Sequence, residues 1–279
     1  MIKIGSDNTL KILRSTRIGL FLGDAEGTEI LLPNKYVPET YTMDSELKVF
    51  CYLDNEQRPI ATTLEPLVKR DGFAFLEVMD VGPYGAFLNW GLQKHLLVPF
   101  REQKVTMEVG KKYVVRCYLD PDSFRLVASS RIKRFLSNEA PHFKSNTPVQ
   151  LLIYRKTPLG WEAIIENQYS GLLFESDVFQ PLSIGERVQG YIKKIRPDNK
   201  IDLTLQPIGA SMLAPTAELV FERLQANGGF LALHDKSSPD EIQKVLHLSK
   251  KAFKKAIGTL YKEKRILIKE DGIYLNKSR

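Results

Sequence analysis

The sequence predicts a mainly β protein with a small α+β end: three small β-barrels in tandem, then a helical domain closed by a hairpin. Two observations carry this prediction. An internal repeat of short, turn-bounded strands fills the first three quarters of the chain, and such a repeat decides the architecture. From about residue 208 the apolar period changes from two to 3.6 residues, which indicates helices. The predicted domains are 1–63, 64–137, 138–207 and 208–279.

The first two copies of the repeat align without a gap at a spacing of 66 residues. Gly19-Leu20-Phe21-Leu22 corresponds to Gly85-Ala86-Phe87-Leu88, and Cys51-Tyr52-Leu53-Asp54 corresponds to Cys117-Tyr118-Leu119-Asp120. The third copy is looser because its loops differ in length, and Gly171-Leu172-Leu173-Phe174 is matched to His95-Leu96-Leu97-Val98. The cysteines occupy equivalent places in different copies, so we expect buried strand residues rather than a disulfide or metal pair.

The second copy shows the strands most clearly. Phe73 to Val81 and Gly85 to Trp90 are rich in aromatic and branched residues and are separated by a Gly-Pro turn. Lys112 to Leu119 alternates polar and apolar residues, as half-buried strands do. Five short strands with a longer connection before Gly110 predict a small closed barrel, because closure removes the edges that an open sheet would expose.

The last segment has the element order of a winged helix-turn-helix. A first helix ends at Asn227-Gly228-Gly229 and a short apolar segment follows. Ser238-Pro239-Asp240-Glu241 has the sequence of a capping box with Pro at the first helical position. Ser249 is expected to cap a third helix, and a hairpin turns at Glu270-Asp271-Gly272. Helix, short strand, two closely joined helices and a hairpin is the winged-helix order.

Charge and composition narrow the class of protein. The chain has 40 Lys and Arg against 33 Asp and Glu, a net charge of +7, which suits a polyanionic partner. The predicted domains carry −2, +4, 0 and +5 in chain order. No apolar run approaches the about 18 residues of a membrane-spanning helix, and the N-terminus lacks the pattern of a signal peptide. We therefore expect a soluble, cytoplasmic protein.

The second copy resembles the RNA-binding repeat of ribosomal protein S1. The resemblance rests on Val81-Gly82-Pro83-Tyr84-Gly85-Ala86-Phe87-Leu88, Leu96-Leu97-Val98-Pro99, Val109-Gly110-Lys111 and Val127-Ala128-Ser129-Ser130. With a winged helix appended to three such copies, nearly the full chain resembles the conserved virulence factor B family of bacterial RNA-binding regulators. This implies three tandem S1-like OB-fold β-barrels followed by a winged helix-turn-helix domain, and a role in post-transcriptional regulation of virulence.

The resemblance places Tyr84 and Phe87 on a nucleic-acid-binding face of the second barrel. Barrels of this type stack unpaired bases on aromatic rings. The alternative for Phe87 is a core position, since every second strand residue points inward. The family's His position falls on Val98. The nearby basic residues that could contact phosphates are Lys94, His95, Arg101, Lys104 and Arg116.

The third barrel keeps aromatic residues in altered places. Trp161 and Phe174 are candidate stacking residues, with Phe174 at the family's His position. Glu162 stands in place of the usual Phe and is expected to repel phosphate. Lys193 and Lys194 are candidate phosphate contacts on the fourth strand.

The first barrel departs further from the pattern. It keeps Phe21, but Ile18 stands in place of the tyrosine and the net charge of the domain is −2. We therefore expect this barrel to be a structural spacer or a contact for another protein rather than an RNA site.

The third helix of the C-terminal domain carries a run of lysines. Like charges four residues apart are unfavourable in an isolated helix, which leaves two explanations: a neutralising polyanion, or a solvated outer face. Base reading in the major groove usually uses Arg, Asn or Gln, and this helix has none, so phosphate contact is expected. The candidate residues are Lys250, Lys251, Lys254 and Lys255.

The sequence shows no catalytic, metal-binding or cofactor-binding pattern. Its four His residues are scattered without metal-ligand spacing, and it lacks a phosphate loop and a nucleophile elbow. We predict a non-enzymatic protein without cofactor that binds single-stranded RNA through the second barrel, extended by the third barrel and the winged helix. Two alternatives stay open: a DNA-binding transcriptional regulator led by the winged helix, and an interaction scaffold that docks a protein on the first barrel.

Overall fold

The computed structural model describes residues 1–139, 141–178, 180–207 and 213–276. These residues form two compact units, Met1–Leu136 and Ser137–Arg279. The predicted fold class is confirmed, since the described residues contain three closed five-stranded barrels and a C-terminal winged helix. Residues 208–212, where the predicted last domain starts, lie outside the described residues.

The first barrel consists of β1 (Asp7–Thr16), β2 (Gly19–Gly23), β3 (Glu29–Pro33), β4 (Glu46–Leu53) and β5 (Pro59–Thr62). It closes in the order β1-β2-β3-β5-β4. Its β3–β5 pair is parallel, and the other neighbouring strands are antiparallel. The register of β1 against β2 shifts between Ile12 and Arg14. A bulge of this kind bends the strand, so that β1 pairs with β4 at its start and with β2 at its end.

The other two barrels repeat this order. The second consists of β6 (Phe73–Gly82), β7 (Gly85–Leu88), β8 (Leu96–Pro99), β9 (Lys112–Leu119) and β10 (Leu126–Ser129). The third consists of β11 (Pro148–Thr157), β12 (Gly160–Ile165), β13 (Tyr169–Phe174), β14 (Arg187–Ile195) and β15 (Ile201–Thr204). In each, the first strand again carries a shift of register where it meets the second.

A glycine begins the second strand of every barrel, because the backbone there passes close to a carbonyl group. Gly19, Gly85 and Gly160 have φ of 150°, 147° and 142°. A Cβ on any of the three would lie 2.0–2.1 Å from a carbonyl oxygen of the third strand. These glycines therefore mark equivalent positions in the three barrels.

The strand register corrects the predicted alignment of the third copy. Gly160 lies opposite Phe174, as Gly85 lies opposite Pro99. Phe174 is therefore the equivalent of Pro99 and not of Val98. A shift of one residue turns a side chain to the other face of a sheet, so Leu173 is the buried equivalent of Val98 and Phe174 is half-buried on the outside.

The hydrophobic core of the second barrel extends into the first barrel, which also has a core of its own. Phe50 and Tyr52 belong to β4, yet they are buried among residues of the second barrel. The ring of Trp90 packs edge-on against both, with centroid distances of 5.8 Å to Phe50 and 6.2 Å to Tyr52. The unit Met1–Leu136 is therefore one packed body rather than two barrels on a flexible tether.

The two cysteines are buried strand residues, as predicted. Cys51 and Cys117 are free and buried, and burial raises the pKa of each thiol to about 12. Because the thiolate is the reactive form, we expect a thiol-specific dye to modify neither cysteine in the native protein and both after denaturation. Rapid modification of the native protein would contradict this placement.

The winged helix lies in the second unit. Its elements are α1 (Leu213–Ala226), β16 (Phe230–Leu231), α2 (Pro239–Leu246), α3 (Lys250–Lys262), β17 (Ile266–Lys269) and β18 (Gly272–Leu275). The predicted capping box is present, since Ser238 and Glu241 exchange hydrogen bonds at the start of α2. Ser249 caps α3 by accepting a hydrogen bond from the backbone N–H of Ala252. Within the described residues, no helix has the length and apolar character needed to cross a membrane.

Candidate nucleic-acid interface

A cleft of about 650 Å³ lies within the unit Met1–Leu136. One side is formed by the second barrel, from the turn before β7 through β8 to the start of β10. The other side is the end of β4 and the turn that follows it in the first barrel, including Leu53, Asn55 and Gln57. The volume is typical of sites for small ligands.

Tyr84 and Phe87 both line this cleft. Tyr84 lies in the turn between β6 and β7 and is 75% exposed. Phe87 is half-buried, whereas Ala86 and Leu88 on either side of it are fully buried. This alternation puts Phe87 on the outer face of the barrel, so the alternative of a core position does not hold.

The residue opposite Phe87 distinguishes the second barrel from the first. In the first barrel, Arg14 is the cross-strand partner of Phe21, and its guanidinium carbon lies 4.2 Å from the ring centroid. In the second barrel, the partner of Phe87 is Asp80. No cation among the described residues covers the Phe87 ring. A flat ligand can therefore stack on the Phe87 ring, whereas Arg14 blocks the equivalent position on Phe21.

Lys94 and His95 are the two predicted basic residues that line the cleft. His95 is exposed. The Lys94 ammonium donates to the carbonyl oxygens of Leu53, at 3.0 Å, and Asp54, at 2.6 Å. Burial, with the nearby charge of Arg125, lowers the pKa of Lys94. Lys94 thus ties the first barrel to the second in place of the predicted phosphate contact.

The other predicted basic residues of the second barrel do not line the cleft. Arg116 lies opposite Phe73, at the far end of β6 from Tyr84. Its side chain is 16% exposed and pairs with Asp71 at 2.8 Å, so the predicted placement beside the aromatic pair is wrong. Arg101 and Lys104 are exposed but also lie outside the cleft lining.

Two further groups that line the cleft are not among the predicted site residues. Arg125 is exposed on its rim, and its place directly after a turn was the signal that could have found it. The amide side chains of Asn55, Gln57 and Gln93 also line the cleft. Asn55 and Gln57 come from another barrel, so no local pattern near Phe87 could indicate them. Among the described residues, no three His, Cys, Asp or Glu side chains are grouped as metal ligands.

The third barrel presents a different surface at the equivalent place. Trp161 follows Gly160 as Ala86 follows Gly85, so it takes an inward-facing position and packs against the barrel core. Lys156 lies over its ring, 4.8 Å from the centroid. Arg196 lies 5.5 Å from the ring centroid of Phe174. The predicted stacking role of these two rings is therefore not supported. Trp161 packs against the barrel core, and a cation lies over each ring.

The charged residues of the third barrel are largely paired. Glu162 accepts hydrogen bonds from the Tyr154 hydroxyl and the Arg155 guanidinium, both at 2.8 Å. Its charge is compensated, which corrects the predicted repulsion of phosphate. Lys193 forms an ion pair with Asp177, and Lys194 is exposed.

Helix α3 carries its lysines on the outer face. The opposite face, Ala252, Phe253, Ala256, Ile257 and Leu260, is buried in the domain core. Lys250 is half-buried, and its ammonium lies 3.4 Å from the carbonyl oxygen of Lys236. The exposed lysines are Lys251, Lys254, Lys255 and, at the end of the helix, Lys262.

Two protein families have models that match parts of the chain. The S1 domain model matches residues 4–64, and the CvfB-like winged helix domain model matches residues 218–275. The S1 match thus falls on the first barrel, although the second barrel carries the motif that resembles S1 most clearly. Both domain types bind nucleic acids.

Relatives cover nearly the whole chain. The uncharacterized protein YitL of Bacillus subtilis is 29% identical over 98% of this chain and 94% of its own. Conserved virulence factor B of Staphylococcus epidermidis is 25% identical over 98% of this chain and 95% of its own. A crystal structure of a multidomain protein with nucleic acid binding domains from Streptococcus pneumoniae is 25% identical over 98% of both chains, with a TM-score of 0.43. The chain is thus similar to YitL and conserved virulence factor B over nearly its whole length, and parts of it match the S1 domain and CvfB-like winged helix models.

Proposed function

We propose that this protein binds single-stranded RNA on the second barrel and acts as a non-enzymatic post-transcriptional regulator in the cytoplasm. The observation that carries the proposal is the pair of accessible rings, Tyr84 and Phe87, at one cleft. RNA-binding barrels hold unpaired bases by stacking them on such rings. RNA rather than DNA follows from the resemblance of the second barrel to the S1 repeat.

The charges around the cleft give the bound strand an orientation. Asp80 lies directly across from Phe87 and disfavours phosphate on that side. His95 and Arg125 line the same cleft. The Arg125 guanidinium attracts the phosphate backbone, and the ring N–H of His95 can donate a hydrogen bond to it. We therefore expect bases over Phe87 and phosphates toward His95 and Arg125.

The third barrel and the winged helix contribute phosphate contacts in this proposal. Lys194 and the exposed lysines of α3 are solvated cations with no base-reading side chains among them. Such contacts add affinity without sequence preference, and they make it depend on salt.

Replacing four of the five α3 lysines by Ala tests this contribution. For a single strand, log K falls with log salt by about 0.7 per phosphate contact, so losing Lys250, Lys251, Lys254 and Lys255 is expected to reduce the slope by about 3. The affinity should fall several-fold at low salt and little at high salt. Removing four basic residues of the first barrel, Lys3, Lys11, Arg17 and Lys48, is the charge-matched control. An equal change of slope in both variants would make the effect one of net charge alone.

The preference among nucleic acids tests the proposal as a whole. Fluorescence anisotropy would compare labelled single-stranded RNA, single-stranded DNA and duplex DNA at two salt concentrations. Tightest binding to single-stranded RNA supports the proposal. Tightest binding to duplex DNA, lost in the α3 lysine variant, would instead support the second candidate, a DNA-binding regulator that uses the exposed face of α3. Binding to none of the three at low salt would contradict both.

A further inference from the structure

We propose that the first barrel is part of the RNA site: the cleft holds one nucleotide between Phe87 and the turn of residues 53–58. This rests on the proposed function and deepens it, because it gives the first barrel a role in contacting the base. This role would take the place of the structural spacer or protein contact expected from the sequence. The juxtaposition of Phe87 with Asn55 and Gln57 in one cleft carries the proposal.

The two sides of the cleft are held at a fixed separation. Phe50 and Tyr52 of the first barrel pack into the hydrophobic core of the second barrel, against Trp90. At the cleft itself, Lys94 of the second barrel donates to two carbonyl oxygens of the first barrel's turn. A site whose walls are fixed in advance loses little conformational freedom when it binds.

The turn of residues 53–58 is held together by hydrogen bonds to one carboxylate. The Asp54 carboxylate accepts hydrogen bonds from the backbone N–H groups of Glu56 and Arg58, at 2.8 and 2.9 Å. It also accepts two from the Arg58 guanidinium. Gln57 has φ of 65°, so its side chain leaves the turn in a direction that an ordinary extended residue would not give. The turn thus presents Asn55 and Gln57 in defined positions.

Amide side chains suit the edge of a nucleobase. Each amide group offers a donor and an acceptor, and base edges carry complementary N–H groups and acceptors. The Gln57 Oε1 atom is buried and has no hydrogen-bond partner among the described residues. An N–H group of a bound base would supply the missing donor after a small movement of this side chain.

The cleft has room for one nucleotide of an unpaired strand. A volume of about 650 Å³ lies in the range of single small-ligand sites. The base of a duplex would have to leave its partner to enter. The ring of Phe87 then provides the stacking face, and the amide groups contact the edge of the same base.

The test is the double variant Asn55→Ala/Gln57→Met, with Glu56→Met as matched control. Met keeps the length of Gln57 and removes the amide. Glu56 is exposed on the same turn and does not line the cleft. We expect affinity for a labelled single-stranded RNA to fall about tenfold in the double variant, because two hydrogen-bonding groups are lost. We expect it to change less than about twofold in the control.

The outcomes separate this proposal from the proposed function. If wild type binds single-stranded RNA, the Tyr84→Ala/Phe87→Ala variant loses it and the double variant binds normally, the role of the first barrel is refuted and the proposed function stands. If wild type binds no single-stranded RNA, both fail. Competition by micromolar AMP would identify a free nucleotide as the occupant and would also overturn the proposal of an RNA strand.

Discussion

Replacing Tyr84 and Phe87 together by Ala is expected to weaken binding of single-stranded RNA by about 30-fold or more. Each base stacked on an aromatic ring is worth about 1–3 kcal/mol, and 1.4 kcal/mol is a factor of ten. Two stacks at the lower limit therefore give about 30-fold. An anisotropy titration measures the affinity.

The same substitutions should leave the fold intact. Tyr84 is 75% exposed, and Phe87 lies on the outer face of the barrel, so neither change opens a cavity in the core. Thermal unfolding of the variant, followed by circular dichroism, is expected to match that of wild type. A large loss of thermal stability would mean that the binding result reflects unfolding.

The first barrel offers a matched control for the aromatic pair. Ile18 and Phe21 occupy the equivalent positions, and Ile18 is 59% exposed. Because Arg14 covers the Phe21 ring, Ile18→Ala/Phe21→Ala is expected to change RNA affinity little. An equal loss in the two variants would contradict the assignment of stacking to the second barrel.

Gly85→Ala is expected to destabilise the unit Met1–Leu136 by at least about 3 kcal/mol. Its φ of 147° is strained for any residue with a side chain, at a cost of about 1–3 kcal/mol. The new Cβ would also lie 2.1 Å from the carbonyl oxygen of Val98 and 2.9 Å from the Pro99 Cα. Both neighbours are backbone atoms of β8, so relief requires the strand to move. Urea unfolding measures the change in the free energy of unfolding.

Gly110→Ala separates the close approach from the backbone strain. Gly110 has φ of 79°, and a Cβ there would meet nothing within 4 Å. The left-handed conformation alone costs about 1–2 kcal/mol. We therefore expect Gly110→Ala to be clearly milder than Gly85→Ala. Equal losses would show that the carbonyl of Val98 is not what requires glycine at residue 85.

The barrels could be predicted from the sequence because their determinants are local and repeated. The recurrence of Gly19 at Gly85, and the alternation along Lys112–Leu119, reflect the backbone crossing and strand pairing of a single barrel. The start of α2 could be predicted for the same reason, since a capping box depends on four consecutive residues.

The composition of the cleft could not be predicted, because it depends on contacts between barrels. The bonds of Lys94 to Leu53 and Asp54 join residues about 40 positions apart. From its position ten residues after Tyr84, Lys94 was predicted to contact phosphate, although its ammonium is hydrogen-bonded within the protein. The placement of Arg116 was wrong for a different reason. Arg116 is on β9, which pairs with the start of β6, whereas the aromatic pair lies at the other end of β6.

In the third barrel, an alignment error of one residue reverses the predicted face of an aromatic side chain. Matching Phe174 to Val98 instead of Pro99 moved one ring by a single residue, which exchanges the inner and outer faces of a strand. Only the pairing of Gly160 with Phe174 fixes the register. Because the loops of the third copy differ in length, the pattern of residue types alone does not define the strand pairing.

The burial of Phe50 and Tyr52 in the core of the second barrel has a consequence for biosynthesis. Phe50 and Tyr52 are each 3% exposed in the finished protein, but the residues that bury them are translated later. At roughly 5–20 residues per second, the 66 residues that separate equivalent positions in the two barrels take roughly 3–13 seconds to synthesise. During that interval the nascent first barrel presents two aromatic side chains that only its own downstream chain can cover. The order of the barrels along the chain thus sets a time window in which chaperone capture and aggregation compete with folding.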